Sequence, residues 1–240
     1  MTDLPTVHVA FPSGYLQCVV YVVGGPQGAV VIDPGSGACE AEVLDGIRRT
    51  GWPVTHALLT HCHVDHALGA WRFRERGLKL VAAPYTAEVL RAGGHQVWYE
   101  YPDWVIPTEI DLVPADGAVL DLCGFPIRVL HTPGHTPGCA SYLVETEEGR
   151  VAFTGDLLTT TAQASWAGSE GFSVAGTLAS TEKLLAAAPA VLYRGHGRVA
   201  EPAVDFLRRT LDTGRAGEWR LYAEFHPDDR PPACLKKRER

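Results

Sequence analysis

The stretch Thr60-His61-Cys62-His63-Val64-Asp65-His66 decides how this chain is read. It closes an apolar run, Val54 to Thr60, with the character of a fully buried strand, and it precedes Ala67 to Arg76, whose pattern predicts a helix. Side chains alternate along an extended segment, so His61 and His63 point to one side and Cys62 to the other. Asp65 and His66, on the turn into the helix, face the same space from a second direction. Imidazoles and carboxylates gathered in this way suit one or two divalent metals.

Three further positions share that context: His135 in His131-Thr132-Pro133-Gly134-His135-Thr136-Pro137-Gly138, Asp156 in Thr154-Gly155-Asp156, and His196 in Gly195-His196-Gly197. Each follows a predicted strand and sits in a glycine-flanked turn, where the backbone can present a side chain into a common cleft. Around them, Tyr15 to Val23 and Ala29 to Ile32 read as a hairpin broken at Gly24-Gly25-Pro26. Ala41 to Arg49 reads as a helix, and Leu78 to Ala82 as a strand. Short strands follow at Val119 to Leu122, Ile127 to His131, Ala140 to Val144 and Val151 to Thr154. Helices at Thr177 to Ala187 and Val204 to Leu211 then flank a strand at Val191 to Tyr193. Strands alternating with helices predict an α/β layer architecture, and no linker-like stretch divides residues 1–240, so one domain is expected.

The composition narrows the functions available. Of 240 residues, 46% are hydrophobic and 20% charged, with 25 glycines and 17 prolines spread along the chain, which fits a globular protein with a sizeable core. A net charge of −7 opposes attraction to nucleic acid or anionic membranes. The one basic run, Lys236-Lys237-Arg238 with Arg240, reads as a solvated tail. No apolar stretch approaches the roughly 20 residues of a spanning helix. The first residues lack a positive segment followed by an apolar block, so a cytoplasmic location is expected. Cys18, Cys39, Cys62, Cys123, Cys139 and Cys234 form no Cys-x-x-Cys pair and are expected to be reduced.

With His-x-His-x-Asp-His, then His, Asp and His in order, the chain resembles the metallo-β-lactamase superfamily over about residues 15 to 200. The resemblance implies an α/β fold, a four-layer αβ/βα sandwich, with a metal site along one edge between the sheets. It places His61, His63 and His135 on a first metal, Asp65, His66 and His196 on a second, and Asp156 between them. Two divalent ions are therefore expected, zinc first, with iron or manganese compatible with an all-nitrogen and oxygen ligand set. Two such ions roughly 3.5 to 4 Å apart can ionise a shared water near neutral pH and polarise a carbonyl, and Asp65 is the group placed to orient that hydroxide.

Within the superfamily, an aspartate at 156 resembles the glyoxalase II, lactonase and thioesterase branches, whereas antibiotic-degrading members usually carry cysteine or serine there. The expected activity is hydrolysis of a small thioester, lactone or related acyl substrate. Glyoxalase II enzymes place basic and aromatic glutathione-binding residues after this aspartate, but here Leu157 to Trp166 has no arginine or lysine, and none occurs before Lys183. Competing expectations are a β-lactamase, an iron-dependent persulfide oxygenase using His61, His135 and Asp156, and a metal-binding module without turnover. Asp33 either supports a ligand histidine or starts a turn, and His131 either supports a ligand or is exposed. Cys62 is expected to pack rather than bind. The aromatic stretch Trp98 to Trp104 forms either a substrate wall or ordinary packing.

Overall fold

The computed structural model describes residues 4–12, 17–93, 106–165, 171–197 and 199–219. The aromatic stretch Trp98 to Trp104, Trp166, Cys234 and the basic tail lie outside them. Strands β1 (Thr6–Phe11), β2 (Val20–Gly25), β3 (Gly28–Ile32), β4 (Val54–Leu58) and β5 (Lys79–Val81) form one sheet in that order. Its first three strands are antiparallel, and β3, β4 and β5 are parallel. The second sheet runs β10 (Val191–Arg194), β9 (Gly149–Gly155), β8 (Ala140–Thr146), β7 (Phe125–His131), β6 (Val119–Leu122), with only the β10/β9 pair parallel.

The central strands bury both faces, which is why they read as continuous apolar runs rather than alternating ones. Val19, Tyr21 and Val23 face the second sheet, while Cys18, Val20 and Val22 face outward onto helices. The outer cover of the first sheet is α1 (Glu40–Thr50), α2 (Val64–Ala67), α3 (Ala70–Glu75) and α4 (Pro84–Arg91), contributing Val43, Phe73, Ala87 and Leu90. The second sheet is covered by α5 (Val174–Ala187) and α6 (Ala203–Arg215), through Leu184, Phe206 and Leu207 against Leu143, Ala152 and Leu192. The layers are helix, sheet, sheet, helix, the arrangement the resemblance implies. No helix among the described residues is long and apolar enough to cross a membrane.

Two elements lie outside the sequence reading. The edge strand β1 and the short helix α4 are not signalled by periodicity, although Pro84 at the first turn of α4 is a favoured start. The helix expected over Ala67 to Arg76 is α3, and Asp65 and His66, expected on the turn before it, lie in the separate helix α2. The two helices part at Gly69, whose N–H donates to the Gly35 carbonyl at 2.8 Å, and where a Cβ would stand 2.8 Å from that oxygen.

Between the sheets, the Phe153 ring stacks on Tyr193 at 5.1 Å and meets Tyr21 at 5.4 Å. Phe153 is fully buried, so Phe153→Ala is expected to destabilise the protein by about 3–5 kcal/mol, and Phe153→Leu by less than about 1.5. Urea unfolding of parent and variants measures both.

Candidate metal centre

Every residue singled out by the motif lies where a strand stops. His61 and His63 follow β4, and Asp65 and His66 lie in the short helix α2 that begins at Val64. His135 is in the β7–β8 turn, while Asp156 and His196 follow β9 and β10. These loops bring seven side chains into two adjoining groups, His61, His63 and His135, and Asp65, His66, Asp156 and His196. Within each group one ligand atom per residue lies within 4.8 Å of all the others.

The contacts define which atoms face inward. His135 Nε2 stands 2.8 Å from His63 Nδ1, and His196 Nε2 is 2.8 Å from Asp65 Oδ2. Asp156 reaches both groups: Oδ1 is 3.3 Å from His66 Nε2, and Oδ2 is 3.4 Å from His196 Nε2 and 4.0 Å from His135 Nε2. Gly195 lets the chain pass this close, since a Cβ there would lie 2.2 Å from Asp156 Oδ1. The inward nitrogen His61 Nε2 is buried with no hydrogen-bond partner, and His66 Nε2 has carboxylate oxygens of Asp156 and Asp65 beside it at 3.3 and 3.6 Å. Orphaned buried polar atoms are costly, and a divalent cation satisfies them, so the residues present fit a metal site.

The undecided Asp33 belongs to the support of this cluster. It is almost wholly buried, in a left-handed conformation (φ 51°), and accepts hydrogen bonds from Thr60 N at 2.7 Å and Thr60 Oγ1 at 2.6 Å. Its Oδ2 also lies 2.8 Å from His66 Nδ1, which turns His66 Nε2 inward. His131 is not in the cluster; its ring pairs with the Pro114 carbonyl at 3.1 Å. Cys62 packs in the core under the first sheet, as its alternation requires. Sequence reasoning did not single out Arg194. Its guanidinium donates to the Thr159 carbonyl at 2.8 Å and lies over Phe206, bracing the loop that follows Asp156. An open cavity of about 490 Å³ adjoins the same loop, with Arg194 and Arg209 on its walls opposed by Glu201 and Asp205.

A model of the metallo-beta-lactamase superfamily matches residues 13–196. The chain belongs to that superfamily. It is 36% identical over 138 residues to a hydroxyacylglutathione hydrolase of Mesorhizobium japonicum, a match covering 55% of this chain and 47% of that protein. The chain thus spans about half the length of that relative. Among solved structures it is similar to a metallo-beta-lactamase family protein from Thermus thermophilus, with TM-score 0.69, 21% identity, and 88% of this chain and 79% of that one covered. A subclass B3 metallo-beta-lactamase of Bradyrhizobium japonicum superposes with TM-score 0.65 at 21% identity, covering 84% and 88%. At these identities the superpositions speak for the fold.

The two groups differ in charge. Burial holds His61 well below the usual histidine range, and it pushes His63 down to about 4 and His135 down to about 3, so these rings are neutral with lone pairs available. In the other group burial disfavours charge on His66, yet Cys18 and the carboxylates of Asp156, Asp65 and Asp33 hold it well above the ordinary value. Asp156 likewise raises His196. A divalent ion in the first group would therefore compete with few protons above pH 5, whereas one in the second would compete with the raised proton affinity of His66 and His196. Lowering the pH from 7.5 to 5.5 is expected to weaken the second equivalent of metal at least tenfold and leave the first within about threefold. Calorimetric titration in buffers of different ionisation enthalpy should find proton release concentrated in the second step.

Proposed function

We propose that the protein is a dinuclear metal-dependent hydrolase of small thioester, lactone or related acyl substrates. In this reading His61, His63 and His135 hold one divalent ion, Asp65, His66 and His196 hold the other, and Asp156 lies between them. The observation that carries it is the reach of Asp156, whose two oxygens approach imidazoles of both groups. The similarity to a hydroxyacylglutathione hydrolase supports an acyl substrate. When bound, a pair of such ions lowers the pKa of a shared water toward neutrality and polarises the carbonyl under attack.

The chain's own residues supply the remainder. Asp65 sits at the edge of the cluster with Oδ2 against His196, and burial, which opposes its ionisation, is outweighed by His66 and His196, so it is a carboxylate at neutral pH. A carboxylate there orients an attacking water by accepting its hydrogen bond and can pass the proton on to the leaving group. His196 is the open histidine of the cluster, with 38% of its side chain exposed against 2% or less for His66 and His135, so substrate approaches from its side. The loop after Asp156 carries no basic residue before Trp166, so that loop offers a glutathione moiety no cationic contact. A smaller or less anionic acyl compound is the preferred substrate. Zinc is the first candidate metal, the site works in a single cytoplasmic domain, and neither nucleic acid nor membrane is a partner.

Elemental analysis of metal-replete protein is expected to find close to two ions per chain, and hydrolysis panels of thioesters, lactones and β-lactams should find turnover on the first two. Asp65→Asn keeps the side-chain volume and is expected to lower turnover by about 10² or more while the protein remains folded. Unchanged activity in that variant would remove Asp65 from the chemistry. Two metals without turnover on any panel would favour a metal-binding module.

A further inference from the structure

The segment Gln17 to Val19 leads into β2 between the two sheets' contributions to the cluster. The Cys18 N–H donates to the Asp65 carbonyl at 3.2 Å, and the Val19 N–H donates to the Gly195 carbonyl at 2.7 Å. Two residues later the Tyr21 hydroxyl donates to the Arg194 carbonyl at 2.7 Å. One short stretch thus grips the main chain at Asp65 and beside His196, from opposite sheets, and these are the residues whose side chains meet at 2.8 Å.

Gln17 anchors that stretch. It is completely buried, its Oε1 accepts from Ser36 N and Ser36 Oγ at 3.1 Å each, and its Nε2 donates to the Cys18 carbonyl at 3.3 Å. The amide fills the space over Gly35, where a Cβ would stand 1.9 Å from Nε2, and the Gly35 N–H in turn donates to the His66 carbonyl at 3.0 Å. Asp65, His66 and Gly195 are therefore each two hydrogen bonds from a single amide. The first group is held differently: the Thr60 carbonyl beside His61 accepts from Ala140 N, and the Gly134 carbonyl beside His135 accepts from Ser173 N.

We propose that Gln17 is the positioning residue for the Asp65, His66 and His196 half of the centre, setting the spacing of those three groups and hence the affinity for the second ion alone. The inference rests on the dinuclear reading. A glutamine that only filled core space would, when replaced, lower stability and both metal affinities together.

Cobalt(II) titration, followed by its absorption spectrum, separates these cases in Gln17→Met, which keeps the length and removes the polar groups. The expected result is a second dissociation constant raised about 10- to 100-fold with the first within about threefold, the scale seen when outer partners of metal ligands are removed. Ser36→Ala, which deletes only one of the bonds to the amide, should move the second constant in the same direction by a few-fold and keeps the test alive if Gln17→Met does not fold. Amide exchange at Cys18 and Val19 in the metal-free protein should quicken in both variants. Equal weakening of both equivalents, or no weakening in either variant, overturns the assignment while leaving two metals in the parent. A parent that binds only one cobalt overturns the dinuclear reading and this inference with it.

Discussion

The carboxylate of Asp33 is the contact on which the centre depends. It follows the end of β3 on a left-handed backbone, and from there it ties the end of β4 through Thr60 and the start of α2 through His66. Burying an unpaired carboxylate would cost several kcal/mol, but here each of its oxygens has a donor. The same bonds fix the rotation of His66, because a ring whose Nδ1 faces Asp33 must turn Nε2 toward Asp156 and Asp65. Tertiary structure in the first sheet and ligand geometry are thus one problem with one solution.

The second sheet has a different task. Its strands β7, β9 and β10 deliver one group each, and their ends must come close enough for side chains from four loops to meet in one cluster. Glycine makes that approach possible at two points. A Cβ at Gly155 would lie 2.3 Å from Thr60 Oγ1, and one at Gly195 would collide with Asp156 and with the His66 ring. The Tyr142 hydroxyl, donating to the Leu59 carbonyl at 2.7 Å, holds the two sheets together directly behind His61. Rigid strand pairing behind a loop-built site gives precision without placing polar backbone in the core.

The part of this arrangement legible in the sequence was the part carried by local pattern. His61 to His66 states its geometry through alternation and a helix start, and buried strands betray themselves as apolar runs. What the sequence left open depended on contacts between distant residues. Asp33 could equally have begun a turn, because its partners Thr60 and His66 are some thirty positions away. Gln17 gave no signal at all, since an isolated glutamine before a valine-rich run looks the same whether exposed or, as here, sealed over Gly35. His131 could be read either way until its ring was seen against Pro114. The edge strand β1 is half exposed, so its weak pattern did not stand out.

The uneven charge of the centre follows from this division of labour. Burial outweighs the nearby carboxylates in the first group and keeps its imidazoles neutral, whereas Asp156, Asp65 and Asp33 around the second group raise its imidazoles. Burial opposes ionisation of Asp156 as well, yet His196 and His66 keep its carboxyl well below the usual range. The carboxylates thus raise the proton affinity of His66 and His196, and those imidazoles in turn favour ionised Asp65 and Asp156. Asp156 is the side chain that touches both halves, with Oδ1 3.3 Å from His66 Nε2 and Oδ2 4.0 Å from His135 Nε2.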